Sequence, residues 1–158
     1  MILQMCNWLQ GTPWATSVHD SLWAYPFVQL IHFTGLSLFV GSIVLLNLRL
    51  LGLIKRRQSI REVYDQLGLM MWTGFCIALL GGFLLFSSSA VAFYYNPAFR
   101  WKMIVLLSAL IFHILVLWKV KTPAAEPTAT PNWAVLAGVV SFVLFAGVVT
   151  GAVLIPNY

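Results

Sequence analysis

The chain has 158 residues, of which 61% are hydrophobic and 8% charged, against about 25% charged and under half apolar in an ordinary soluble domain. A soluble globule of this size buries only about two-thirds of the surface its unfolded chain exposes, so this much apolar surface needs lipid as its solvent. That excludes a soluble enzyme and a disordered tail, and the net charge of +5 is not gathered into the basic stripe of a nucleic-acid binder.

In chain order, Met1 to Gln10 lacks the basic n-region of a signal peptide, and Gln4-Met5 before Cys6 makes a poor lipoprotein box, so no cleavage is expected. Leu9 to Leu22, with Trp8, Trp14 and Trp23 around it, reads as a short amphipathic segment lying along the outer interface. A membrane-spanning helix takes about 20 largely apolar residues, and four tracts qualify: Leu22 to Leu48, Gln66 to Phe99, Met103 to Trp118 and Trp133 to Ile155. Aromatic belts mark the same ends: Trp23 and Tyr25, Trp72, Tyr94 and Tyr95, Trp101 and Trp118, Trp133 and Tyr158. The expectation is an all-α integral membrane four-helix bundle occupying 1–158 as one domain, with helices at about 22–54, 66–95, 98–121 and 132–156. Thr122 to Pro131, rich in Pro, Ala and Thr, is expected to be an extended connector.

Cytoplasmic loops carry the excess of Lys and Arg. One side of the bundle holds Arg49, Lys55, Arg56, Arg57, Arg61, Lys119 and Lys121, the other only Arg100 and Lys102. Seven against two places both termini in the periplasm of a bacterial inner membrane. Cys6 lies on the outer side and Cys76 within the second span, so no disulfide is expected between them.

Helices in lipid pack through small residues four apart. The first span offers Ser37 and Gly41, the second Gly74, Ala78 and Gly82, the fourth Ala137 with Ser141 and Gly147 with Gly151. The third span carries bulky Leu, Ile and Phe instead.

Ionisable residues inside spans are costly and mark function by default. His32 in the first span and His113 and Lys102 in the third are the candidates, while His19 is read as an exposed interfacial side chain. At 100° per residue, Lys102 and His113 fall about 20° apart and share a face with Leu106 and Ala109, assigned to the bundle interior. Two intramembrane histidines on different helices suggest axial ligation of a haem b. Counted from the outer aromatic belt, His32 is about 13 Å deep and His113 about 18 Å, close enough to share one haem. Counted from the basic side, they lie about 25 Å and about 9 Å from Arg49 and Lys119, and the two rulers disagree. Either Lys119 snorkels or Lys102 is drawn inward, and in the second case Lys102 sits opposite His32. Histidines that merely bridge helices by hydrogen bonds are the simpler alternative.

Arg49 with Asn47 reads as a contact to lipid headgroups. Met5, Cys6, Met70, Met71, Cys76 and Met103 are soft donors suited to Cu(I), but they are scattered in depth and form no CxxC or MxxM pair. Hydrolase and nucleotide chemistry have no motif.

The run His32-Phe-Thr-Gly-Leu-Ser-Leu-Phe-Val-Gly-Ser-Ile-Val-Leu-Leu-Asn-Leu-Arg-Leu-Leu-Gly52, with Trp72-Thr-Gly-Phe and Asn96-Pro-Ala-Phe-Arg-Trp-Lys102, resembles a family of small uncharacterised bacterial four-helix membrane proteins over nearly the whole chain. Asn47 stands where that pattern has Asp, and Ala152 where it has Arg. More distantly the sequence is similar to the CopD copper-resistance membrane domain and to HemJ-type protoporphyrinogen oxidase. The HemJ likeness implies a haem b tied to His32 and Lys102. The leading expectation is therefore a haem b-binding membrane subunit that moves electrons between a periplasmic redox partner and quinone. A non-catalytic anchor or accessory subunit of a larger complex and CopD-like copper handling are the alternatives.

Overall fold

A computed structural model describes residues 1–55, 57–121 and 131–155. Their regular structure is helical throughout: α1 (Ile2–Gln10), α2 (Pro13–Asp20), α3 (Ala24–Leu50), α4 (Ile60–Ser88), α5 (Ala90–Tyr95), α6 (Pro97–Lys121) and α7 (Asn132–Leu154). Four of them, α3, α4, α6 and α7, are long and apolar enough to cross a membrane. The expected connector at Thr122 to Pro131 lies, but for Pro131, outside the described residues.

Local chemistry sets the helix borders. Leu53 N–H reaches back to Leu48 O and Gly52 N–H to Arg49 O, both at 2.9 Å. This is a Schellman closure, and its pivot Gly52 has φ 71°, a conformation that a side chain disfavours. The end of α3 thus falls at Leu50, short of the expected residue 54, because hydropathy continues past the point where glycine turns the chain. The start of α4 is Ile60 and not residue 66. Ser59 and Glu62 form a reciprocal capping box that starts the helix ahead of the apolar tract, worth about 1 kcal/mol for the serine cap. Its far end breaks at Ser89 (φ −144°, ψ 36°). There Ser87 and Ser88 hydroxyls donate to Leu84 O and Leu85 O at 2.8 Å, a local alternative to continued helix. What was expected as one span to residue 95 is a long helix followed by the short α5. The family-like stretch Asn96-Pro97 is a helix start: Asn96 Oδ1 accepts from Phe99 N–H at 3.0 Å, Pro97 opens α6, and Asn96 Nδ2 donates to Ile155 O at 2.9 Å beyond α7.

The spans form a ring in which α3 packs against α4 and α7, and α6 leans on α7 while meeting α4 at few points. Glycine makes the α3–α4 contact close. A Cβ at Gly74 would lie 2.7 Å from Phe39 N and 2.9 Å from Gly35 O. The small residue that α3 supplies here is Gly35. Ser37 and Gly41, the expected pair, are exposed, and a Cβ at Gly41 would meet nothing within 4 Å. The stripe that faces inward on α3 is Gly35, Phe39, Ser42, Leu46 and Arg49. On α7, Gly138 rests against Leu51 and Asn47, and Gly147 and Gly151 against Val105 and Lys102 of α6. Phe39 anchors the centre, 5.2 Å from the Phe75 ring and 5.9 Å from Phe145.

The N-terminal segment is two helices, broken at Gly11-Thr12, that fold back on the bundle. Contacts run from α1 to α5 and α4, and from α2 to α4 and α3. Cys6 and Ala15 are buried, whereas Trp8, Trp14 and Trp23 are exposed, as an interfacial segment requires.

Candidate functional site

His32 projects from α3 onto α4. Its ring lies on the Gly81-Gly82 pair, where a Cβ at residue 82 would come within 2.9 Å of Cε1. Its Nδ1 is 2.7 Å from Ala78 O. A carbonyl only accepts, so Nδ1 carries the proton and Nε2 keeps its lone pair. An imidazole fixed this way, with one nitrogen on a backbone carbonyl, has the arrangement typical of metal-bound histidines.

Lys102 approaches from α6. Its Cα and Cβ press on Gly151 of α7, and the residue is half-buried. It makes no ion pair or hydrogen bond among the described residues. The expected inward face of α6 is present: Ala109 and His113 are buried, and Leu106 packs on the core.

His113 is held elsewhere. Its Nε2 lies 3.2 Å from Met71 Sδ of α4, and its ring meets Phe145 of α7 edge-on at 6.3 Å. On α4 the two histidines touch Ala78 and Met71, seven residues or about 10 Å apart along the axis. One iron would need their nitrogens about 4 Å apart at ordinary metal–nitrogen distances of about 2 Å. The structure therefore keeps His113 apart from His32, and Lys102 stands on α6, a helix that α3 does not pack against among the described residues. The depth counted from the outer belt went astray because α6 begins at Pro97, ahead of Trp101, so His113 lies deeper than that count allows.

The soft donors do not converge. Met5, Met70, Cys76 and Met103 are exposed on separate helices or faces, Cys6 is buried in α1, and Met71 faces His113. Both cysteines are free. Among the described residues no three of His, Cys, Asp or Glu gather as a metal cluster. His19 is exposed.

Arg49 and Asn47 are not headgroup ligands. Arg49 is 4% exposed and donates through Nε and Nη2 to Gln58 O at 2.9 and 2.7 Å, tying the loop after α3 to the core. Asn47 Nδ2 donates to Ser141 Oγ of α7 at 2.9 Å, while its Oδ1 is buried with no partner among the described residues. The groups that sequence reasoning missed are Ala78 O, Gly81-Gly82 and Gly151. The double glycine was visible as a packing motif, but which side chain rests on it depends on how α3 and α4 are aligned.

These elements define a multi-pass helical membrane protein whose spans carry two histidines and a lysine. The chain belongs to a family of unknown function, DUF6644, whose model matches residues 16–155. No curated protein matches it, and no solved structure does.

Proposed function

We propose that the chain is a haem b-binding subunit of a bacterial inner membrane, with both termini periplasmic, that passes electrons between a periplasmic redox partner and quinone. The observation that carries this reading is the His32 ring: Nδ1 engaged by Ala78 O at 2.7 Å and Nε2 left with its lone pair. His32 Nε2 is the group that would hold the haem, imidazole being a usual haem ligand, and Lys102 Nζ is the candidate for the second ligand. When bound, the haem supplies one-electron chemistry. His32 would hold it, while Ala78 O fixes the imidazole tautomer and the Gly81-Gly82 surface keeps the imidazole seated. The proposed orientation follows from the seven basic residues on one side against two on the other.

A non-catalytic anchor is the second reading, favoured by His113, whose contacts with Met71 and Phe145 are those of a helix-bridging side chain. An absorption spectrum of purified protein, oxidised and dithionite-reduced, separates the two. The haem reading expects a Soret band that His32→Ala abolishes and His113→Ala leaves in place. A protein without that band, or with one indifferent to His32→Ala, overturns it.

A further inference from the structure

The end of the bundle where α4 starts and α6 finishes is basic. Lys55, Arg57, Arg61, Lys119 and Lys121 are exposed there; of the described acids, Glu62 is engaged in the capping box and Asp65 is exposed on α4, so the cations outnumber the acids. One pair of cations is placed over a groove. Lys121 Nζ stands 5.0 Å from the Tyr64 ring centroid, bridging α6 to α4 at the side of the ring that packs least. A cation over an aromatic face keeps N–H donors free for an anion. Arg61 is one turn before Tyr64 on α4, and neither cation is ion-paired among the described residues.

Toward the middle of the membrane the groove continues as bare apolar surface. A Cβ at Gly68 would meet only the Tyr64 ring, at 3.8 Å, with no atom of α6 within 4 Å. Trp72, which donates to Tyr64 Oη at 3.2 Å, is 38% exposed, and Ile114, two turns before Lys121 on α6, is 53% exposed. Paired cations at the mouth and an uncovered apolar floor are the two halves of a phospholipid site.

We propose that the cleft between α4 and α6 binds one anionic phospholipid, its phosphate between Lys121 and Arg61 and an acyl chain laid over Gly68 and Ile114. Native mass spectrometry of the detergent-solubilised protein, titrated with phosphatidylglycerol, phosphatidylcholine or inorganic phosphate, tests this. Phosphatidylglycerol is expected to be retained in preference to phosphatidylcholine. Lys121→Gln should weaken its retention about fivefold, the effect of one cation near the surface. Lys121→Arg should preserve retention, Gly68→Leu should reduce it by filling the groove, and Lys55→Gln should leave it alone, since Lys55 Nζ is committed to Gln66 Oε1 at 2.6 Å. Equal retention of both lipids, indifference to Lys121→Gln, or displacement of the lipid by inorganic phosphate overturns the proposal.

Discussion

Replacing Gly35 by alanine tests the close contact on which the bundle is built. The added Cβ would lie 2.9 Å from Gly74 O and Ile77 C and nearer still to Ala78 N. All three are backbone atoms, so no rotamer change relieves the clash and α3 must move from α4 by about 1 Å to restore ordinary contact. Overpacking of this kind costs about 1–3 kcal/mol, and the all-backbone environment puts Gly35→Ala at the upper end, about 3 kcal/mol. Alanine returns up to about 1 kcal/mol of helix propensity, leaving a net loss of about 2 kcal/mol. Gly41→Ala is the matched control, with the same change in propensity on the same helix and nothing within 4 Å of the new Cβ. The difference between the two variants therefore isolates the contact. Thermal unfolding in detergent should show Gly35→Ala lowered by about 4–8 °C, at about 2–4 °C per kcal/mol for a chain of this size, and Gly41→Ala unchanged or raised by up to about 4 °C. Equal midpoints for the two variants would refute the reasoning. The same shift should also move His32, whose ring rests on α4 one turn away, so a Gly35→Ala protein is expected to lose whatever occupies His32 Nε2 before it loses its helices.

Further outcomes follow from the polar contacts. Asn47→Ala and Ser141→Ala should each destabilise the protein, and a double-mutant cycle should return a coupling of about 0.6 kcal/mol, at most about 1.7; a coupling of zero would mean that the 2.9 Å contact contributes nothing in lipid. Arg49→Met removes the two donors to Gln58 O, charged hydrogen bonds worth about 1.5–3 kcal/mol each. Faster trypsin cleavage at Lys55 and Arg57 is the expected readout, and an unchanged rate would count against Arg49 as the loop anchor. Ser59→Ala should cost about 1 kcal/mol through the lost cap, visible as faster hydrogen exchange confined to the first turn of α4. His113→Leu keeps the volume but breaks the approach to Met71 Sδ; it should lower the unfolding midpoint while sparing His32, which the absorption spectrum would report.

Hydropathy and the aromatic belts were enough to find the four spans, because a helix facing lipid shows its environment in composition alone. Borders were harder to read. The Ser59-x-x-Glu62 signal and the Leu51-Gly52 stop were both present in the sequence, but each lies outside the strictly apolar tract, where short-range hydrogen bonding decides and hydropathy is silent. Faces were harder still. Ser37 and Gly41 have the spacing of a packing pair and face outward, whereas Gly35 faces in, because the angular setting of α3 is decided by its partners. The site divides along the same line. His32, Lys102 and His113 stood out as ionisable residues in lipid, but their grouping depends on where α6 starts, and that is set by the Asn96 cap. Arg49 was misjudged because a charge beside a basic loop looks like a headgroup contact until the loop is seen to curl back and present Gln58 O to it.

The α1–α2 hairpin reaches its docking surface through a contact far apart in the chain: Gln10 Oε1 accepts the N–H of Val91 at 3.0 Å, across a separation of 81 residues. That amide is one of the unsatisfied donors at the start of α5, and it exists in its final place only after α4 has crossed the membrane. At about 5–20 residues per second, about 4–16 s of synthesis separate the two partners. The α1–α2 pair can thus take up this contact only once the second span has been made, so its docking is coupled to the completion of α4.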